Sequence, residues 1–193
     1  MDTQTATRIG TLHWSPRSPF VRKVMVAAHE LGVADRLTLR RTVVRMTDPN
    51  RELLADNPTS KIPTLVLEDG TSLYDSIVIC EYLNALVAGP LFPSGAERWA
   101  TLSRQALANG LLDILILWRN ERDKPPEKQT TSWLSGFSLK TDATLDHFER
   151  LSDELGAASF DIAHVTLGCC LSYLDFRFAD LNWREAHPNG YRS

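Results

Sequence analysis

The sequence predicts an α/β unit of about 80 residues followed by an all-α unit. Strand-like and helix-like apolar patterns alternate through the first part of the chain, up to about Val87. The segment Gly89–Pro93 is rich in glycine and proline and indicates a linker. After Ser94 no stretch shows the alternation of a strand, and the apolar residues recur at helical spacing.

The first strand and the first helix are indicated by residues 12–32. Residues 12–14 form the end of a short strand, and a turn with two prolines follows. Apolar residues then recur at i, i+3, i+4, i+7 and i+10, which places them on one face of a helix. Pro19 suits the first helical position, and Gly32 suits the left-handed residue that ends a helix. The apolar face consists of Val21, Val24, Met25, Ala28 and Leu31.

The rest of the first half predicts three more strands and a helix. Residues 37–44 indicate a second strand, and residues 48–60 a loop or a short irregular helix. The β-branched run at residues 62–67 predicts a third strand. Asp69-Gly70 is the signal of a two-residue hairpin turn that returns into a strand at residues 72–74. A helix opened by Asp75-Ser76 has its apolar face at Ile77, Cys80, Leu83 and Val87.

The second half predicts three helical stretches. Ser94 and Glu97 have the spacing of a capping box, and a long helix follows to about Arg122. Pro125-Pro126 ends it, and a second stretch runs over residues 128–155, weakened by Gly136.

Asp161 is the expected N-cap of a third helix. The buried face of that helix is predicted to hold Ile162, Val165, Cys169, Tyr173 and Phe176. Cys169 and Cys170 are interpreted as small apolar packing residues.

Composition excludes several classes of protein. The 24 acidic and 21 basic residues give a net charge of −3, which is too balanced to favour binding to nucleic acid or to an anionic membrane. No run approaches the ~18 apolar residues of a membrane span. The segment Met1–Gly10 is polar and lacks the apolar region of a secretion signal. Three cysteines without C-x-x-C spacing indicate reduced thiols rather than a disulfide framework or a zinc site, so we expect a cytoplasmic protein without a metal.

Three motifs in the first half occur in an informative order. They are Ser15-Pro16-Arg17-Ser18-Pro19-Phe20, Asn57-Pro58-Thr59-Ser60-Lys61-Ile62-Pro63-Thr64-Leu65 and Asp75-Ser76-Ile77-Val78-Ile79-Cys80-Glu81-Tyr82-Leu83. Together they resemble the glutathione-site half of the glutathione transferase superfamily, in its cytosolic, bacterial-type form with serine at the catalytic position. Residues 160–164 and 173–177 resemble the buried central helix of the family's second domain. The resemblance covers about residues 9–188.

The resemblance implies a fold and an assembly. The expected fold is a thioredoxin-like glutathione-binding domain at residues 7–86, a linker at 87–94 and an all-helical domain at 95–193, which supplies the substrate pocket and dimer contacts. A homodimer is implied. In the family the third predicted helix begins with a capping box of serine or threonine and aspartate. His164 stands at the aspartate position here, so we expect Asp161 to cap the helix without its usual partner.

The resemblance also implies a binding site for glutathione. The Ile62–Pro63 bond is expected to be cis, with the Ile62 backbone turned towards the cysteinyl part of the ligand as an added strand. The helix N-terminus at Ser76 would hold the γ-glutamyl carboxylate, because its amides are unpaired and carry partial positive charge. Asp75 would meet the ammonium group. The structural alternative is that Asp75 or Ser76 only caps the helix. The implied binding residues are Phe20, Lys61, Ile62, Pro63, Asp75 and Ser76.

The resemblance places the catalytic hydroxyl at Ser18, with Ser15 as the alternative. A hydroxyl at a helix N-terminus stabilises the glutathione thiolate, and either serine can also be a turn or cap residue. Serine cannot form a mixed disulfide with glutathione, so conjugation to a small hydrophobic electrophile is favoured. The alternatives are a glutathione-dependent reductase or lyase using the same site, and a non-enzymatic binding protein of this fold.

Overall fold

A computed structural model of the protein describes residues 7–189. Residues 1–6 and 190–193, which include most of the polar N-terminal segment and the end of the predicted helical domain, lie outside the described residues. The described residues divide into two compact units, with the boundary between Phe92 and Pro93. The first unit contains a mixed sheet with helices, and the second contains helices, so the predicted fold class is confirmed.

The first unit follows the predicted order of strand, helix, strand, hairpin and helix. Its strands form one sheet in the order β2-β1-β3-β4, in which β2 is parallel to β1 while β3 is antiparallel to both β1 and β4. The elements are β1 (Gly10–Trp14), α1 (Pro19–Glu30), β2 (Leu37–Arg41), α2 (Leu53–Asp56), β3 (Thr64–Leu67), β4 (Ser72–Leu73) and α3 (Ser76–Leu86).

Local signals in the sequence account for both ends of α1. Pro19 is its first residue, where a missing amide hydrogen costs nothing. Gly32 follows the helix at φ 67°, a conformation that glycine adopts without a steric penalty. The Gly32 amide donates to the His29 carbonyl, and the Val33 amide donates to the Ala28 carbonyl. These two bonds form a Schellman motif, which ends the helix as the sequence predicts.

The hairpin between β3 and β4 corrects one expectation. The strand register pairs Val66 with Ser72, and beyond this pair the Leu67 amide donates to the Thr71 carbonyl at 2.8 Å. The loop therefore holds three residues rather than two. Gly70 has φ 85°, which is the left-handed third position of a three-residue loop. The Asp-Gly pair thus predicts a hairpin correctly but not its loop length.

The second unit is built around α4. This helix packs against α5 and α7, and the Thr101 hydroxyl of α4 donates to the Asp161 carboxylate at the start of α7 at 2.6 Å. Ala108, Phe148 and Leu167 meet in its buried core. The helices of this unit are α4 (Glu97–Arg122), α5 (Thr131–Arg150), α6 (Ser152–Ala157), α7 (Ile162–Arg177) and α8 (Trp183–Ala186).

Three helix predictions in this unit are wrong. The N-cap of α4 is Ala96, without a side-chain capping bond, so the capping box predicted at Ser94 and Glu97 does not form. The stretch predicted at residues 128–155 begins at Thr131 and is divided at Leu151 into α5 and α6. Gly136, which was expected to weaken the stretch, lies inside α5. Phe176 is 57% exposed and lies outside the buried face of α7.

The start of α7 also differs from expectation, because His164 does complete a capping box. Asp161 accepts hydrogen bonds from the amides of Ala163 and His164, and the Asp161 amide donates to His164 Nδ1 at 3.2 Å. The imidazole nitrogen accepts the same hydrogen bond that a carboxylate accepts at this position.

Candidate functional site

The strand register brings the three sequence motifs to one end of the sheet. β1 and β3 are antiparallel, with His13 opposite Thr64, so the start of α1 and the Ile62-Pro63 pair lie at the same end. β3 and β4 are antiparallel, with Leu65 opposite Leu73, so the start of α3 lies there too. The sheet end thus collects two helix N-termini and the backbone that precedes β3. Because helix N-termini carry free amides and partial positive charge, this end favours an anionic ligand.

Ser18 is the N-cap of α1. Its hydroxyl oxygen accepts a hydrogen bond from the Val21 amide at 3.2 Å, and the side chain is partly buried. Ser18 is therefore a cap residue, as one of the two interpretations of the sequence predicted. Capping does not exclude a catalytic role, because a hydroxyl that accepts a bond keeps its own proton to donate. The amide of Phe20, in the first turn of α1, has no partner within the helix and is a second donor at this place.

Ser15 has a weaker anchor in the turn before α1. Its hydroxyl accepts a hydrogen bond from the Arg17 amide at 3.4 Å, and the side chain is partly buried. Ser15 therefore also keeps a hydroxyl proton, but it stands outside the helix, where the effect of the helix dipole is smaller.

The segment before β3 offers a ligand its backbone polar groups and one positively charged side chain. The Ile62–Pro63 peptide bond is cis, and the buried Ile62 side chain packs with Val21 and Leu53. Pro63 directly precedes β3, so the strand loses no hydrogen-bond donor to it. Lys61 is exposed, and its ammonium group makes no ion pair within residues 7–189. The backbone at Ile62 and the charge at Lys61 are thus available to a ligand.

The start of α3 combines a cap with an unpartnered hydroxyl. Asp75 is the N-cap, and one of its carboxylate oxygens accepts from the Ile77 amide at 2.9 Å. Ser76 is the first helical residue and is 1% exposed. Its hydroxyl makes no hydrogen bond within residues 7–189. A buried polar group without a partner is costly, so this hydroxyl is a candidate donor to a ligand.

Two polar residues beneath this site were not singled out by the sequence reasoning. Asn57 is 1% exposed, and its amide group donates to the Lys61 carbonyl at 3.2 Å and to the Thr64 hydroxyl at 3.0 Å. His13 is 2% exposed and contacts Asp56. The sequence signal that was available for His13 is its position between Leu12 and Trp14, within a strand-like run.

Candidates in the helical unit have structural roles. Trp118 stacks with Phe137 and Phe178, with ring centroids 6.5 and 5.0 Å apart, and belongs to the core. Cys169 and Cys170 are buried, and burial raises the pKa of the Cys170 thiol far above its usual range, which keeps it protonated. Residues 7–189 contain no cluster of three or more His, Cys, Asp or Glu side chains placed to hold a metal ion.

None of the helices within residues 7–189 is both long enough and apolar enough to cross a membrane.

Two family models match the chain. The N-terminal domain of glutathione S-transferase matches residues 17–86, and the C-terminal domain matches residues 132–189. Among curated proteins, the uncharacterized GST-like protein YibF of Escherichia coli K12 is 27% identical over 89% of this chain and 85% of its own.

Solved structures give closer matches. A glutathione transferase family member from Pseudomonas fluorescens Pf-5, with bound glutathione, is 43% identical, with a TM-score of 0.89 over 93% of this chain and 89% of its own. The Pf-5 protein was also solved with bound S-(propanoic acid)-glutathione. A glutathione S-transferase from Methylobacillus flagellatus KT, with glutathione bound, is 32% identical, with a TM-score of 0.83 over 94% of this chain and 91% of its own. With both domain models matched and a relative this similar over most of its length, the chain belongs to the glutathione transferase family.

Proposed function

We propose that this protein is a glutathione transferase, which binds glutathione at the sheet end and activates its thiol for attack on an electrophilic carbon. The observation that carries the proposal is the convergence of two helix N-termini on the Ile62 backbone, with the buried Ser76 hydroxyl lacking a partner. The Pf-5 relative, at 43% identity, has glutathione bound, which supports the same ligand here.

Each part of glutathione has a chemical counterpart at this site. The γ-glutamyl carboxylate accepts from the Ser76 amide and hydroxyl at the start of α3. The neighbouring ammonium meets the Asp75 carboxylate, of which one oxygen is used by the Ile77 amide. The cysteinyl backbone pairs with the backbone of Ile62, and the Lys61 ammonium contacts the tripeptide.

The chemical step needs a thiolate. A free thiol has a pKa near ~8.5, so only a few per cent is ionised at neutral pH. The Ser18 hydroxyl donates a hydrogen bond to the sulfur, and the α1 dipole adds to its effect, so the thiol releases its proton to solvent. The thiolate then forms a carbon–sulfur bond. In a substitution the leaving group departs with the electron pair of its bond to carbon, and in an addition the adjacent carbon takes a proton.

The electrophile belongs to one of two chemical classes. The resemblance to the family implies an apolar electrophile, so an apolar aryl halide is the first substrate to assay. The S-(propanoic acid)-glutathione bound to the Pf-5 relative has a three-carbon acid on its sulfur, which favours a small electrophile with a carboxyl group as the second. Parallel assays with an aryl halide and with acrylic acid, under the same glutathione concentration, separate the two classes by their kcat/KM.

Replacing Ser76 by alanine tests the carboxylate position. We expect Ser76→Ala to weaken glutathione binding, measured by calorimetry, by about 1.5–3 kcal/mol, because a hydrogen bond to a charged acceptor is lost. Ser72→Ala in β4 is the matched control and should leave the affinity unchanged. Unchanged affinity in Ser76→Ala would show that the γ-glutamyl carboxylate binds elsewhere.

We also propose that the protein is a homodimer, with the first domain of one subunit against the helices of the other. Both units expose large apolar side chains, including Met46 at 70% and Trp99 at 73%, which is typical of interaction surfaces. Light scattering at micromolar concentration should report twice the mass of the chain. Met46→Glu should shift the protein towards the monomer, whereas Thr47→Glu at the neighbouring exposed position should not. A monomeric wild-type protein would overturn this proposal.

A further inference from the structure

A buried histidine connects the sheet to the segment that precedes the proposed glutathione site. His13 lies on β1 and is 2% exposed. Its Nδ1 is 2.8 Å from the Thr42 hydroxyl oxygen, and its Nε2 is 3.0 Å from an Asp56 carboxylate oxygen. Thr42 follows β2, and Asp56 is the last residue of α2. The ring thus joins three parts of the first unit.

Both ring nitrogens of His13 have polar partners. The ionised Asp56 carboxylate can only accept, so Nε2 carries a proton and donates it to Asp56. The Thr42 hydroxyl oxygen lies within hydrogen-bonding distance of both His13 Nδ1 and the Arg40 carbonyl. Arg40 lies opposite His13 in the β1–β2 register, and its guanidinium pairs with Glu52 at 2.9 Å.

Tertiary contacts, including the hydrogen bond between Asp56 and His13, determine the position of α2. A single helical turn of four residues has little stability of its own, because helix formation becomes favourable only over longer segments. The buried Leu53 and the Asp56–His13 pair hold α2 on the rest of the unit. Directly after Asp56, the buried Asn57 holds the Lys61 carbonyl and the Thr64 hydroxyl.

These contacts form a continuous connection from β1 to the ligand-binding backbone. His13 fixes Asp56, the adjacent Asn57 fixes the Lys61 carbonyl, and Ile62 follows at once. We propose that His13, hydrogen-bonded to Asp56, is a positioning residue for glutathione, holding α2 and the segment 57–63 so that Lys61 and Ile62 meet the ligand. The inference rests on the proposed function of the site. His13 does not contact the ligand in this account and acts through the backbone.

S-methylglutathione has no free thiol, so its binding affinity measures the positioning role of His13 without any contribution from ionisation of the thiol. We expect His13→Leu, which removes the hydrogen bond to Asp56, to weaken the calorimetric affinity about ten-fold, equivalent to one charge-assisted hydrogen bond. His13→Gln keeps one donor and should retain most of the affinity. With glutathione as substrate, His13→Leu should raise KM and leave kcat at saturation near the wild-type value. Val33→Ala, at a buried position just after the C-terminal end of α1, is the control for a purely structural loss and should leave KM unchanged.

Nitrogen NMR of the histidine rings tests the contact with Asp56 directly. In the wild-type protein Nε2 of His13 should carry a proton that it donates to Asp56. An unprotonated Nε2 in the wild type, or an unchanged KM in His13→Leu, would overturn the inference. Failure of the wild-type protein to bind S-methylglutathione would overturn the proposed function and the role of His13 with it, whereas normal binding by both wild type and His13→Leu would overturn the role of His13 alone.

Discussion

Replacing Ser18 by alanine is expected to lower turnover at neutral pH by about ten- to a hundred-fold without abolishing it. The hydroxyl accepts from the Val21 amide, so its proton is free to stabilise the glutathione thiolate. Loss of one hydrogen bond to a charged acceptor raises the pKa of the bound thiol, and less thiolate is present at neutral pH. Raising the pH should recover much of the rate, because solvent then removes the proton. Steady-state kinetics across a pH series measures both effects.

Two further variants separate catalysis from capping at this position. Ser18→Ala also removes the N-cap of α1, which costs about 1 kcal/mol of stability, measurable by thermal unfolding. Ser18→Thr keeps a hydroxyl and a cap and should restore most of the rate. Ser15→Ala should lower turnover much less than Ser18→Ala. A reversed order would transfer the role to Ser15, and wild-type rates in both alanine variants would indicate activation by backbone amides such as that of Phe20.

The largest loss of stability outside the apolar core is expected from Asp161→Ala in the helical unit. The Asp161 carboxylate caps α7 through two amides and accepts from the buried Thr101 hydroxyl at 2.6 Å. The substitution removes an N-cap and leaves that hydroxyl without its acceptor, so the free energy of unfolding should fall by about 2–4 kcal/mol. Chemical denaturation monitored by circular dichroism measures this change.

Asp161→Ser is the matched control for the cap. Serine keeps an acceptor for the helix amides, so Asp161→Ser should lose less stability than Asp161→Ala. Thr101→Val removes the other partner and should cost less than Asp161→Ala, because the cap remains. Equal stability of Asp161→Ala and the wild type would contradict the assignment of Asp161 as the residue that joins α4 to α7.

Much of the fold follows from short-range patterns. The apolar spacing of α1, with Pro19 as its first residue and Gly32 after its end, predicts a helix because each signal acts within a few residues. The capping-box prediction at Ser94 is wrong, because the spacing of Ser94 and Glu97 alone does not decide where α4 begins. The helix starts with Ala96 as its N-cap. Likewise, His164 completes the capping box of α7 through a ring nitrogen, which the resemblance to the family pattern gave no reason to expect.

The candidate site was predictable where its residues are neighbours in the sequence, and it was not predictable where they are far apart in the sequence. Asp75 and Ser76 are neighbours, so a helix N-terminus with a cap and a hydroxyl followed from the sequence. The contact of His13 with Asp56 spans 43 residues and depends on the placement of α2 on the sheet. Ser60, in the second of the three sequence motifs, has φ 50°, and its hydroxyl accepts from the Asn50 amide at 2.9 Å. The motif alone reveals neither this backbone conformation nor the contact with Asn50.

A crystal structure with bound glutathione tests the central claim most directly. The account predicts the sulfur within hydrogen-bonding distance of the Ser18 hydroxyl, the γ-glutamyl carboxylate on the Ser76 amide and hydroxyl, and the cysteinyl backbone paired with Ile62. Glutathione bound away from the sheet end, or bound there with its sulfur beside Ser15 and out of reach of Ser18, would contradict it.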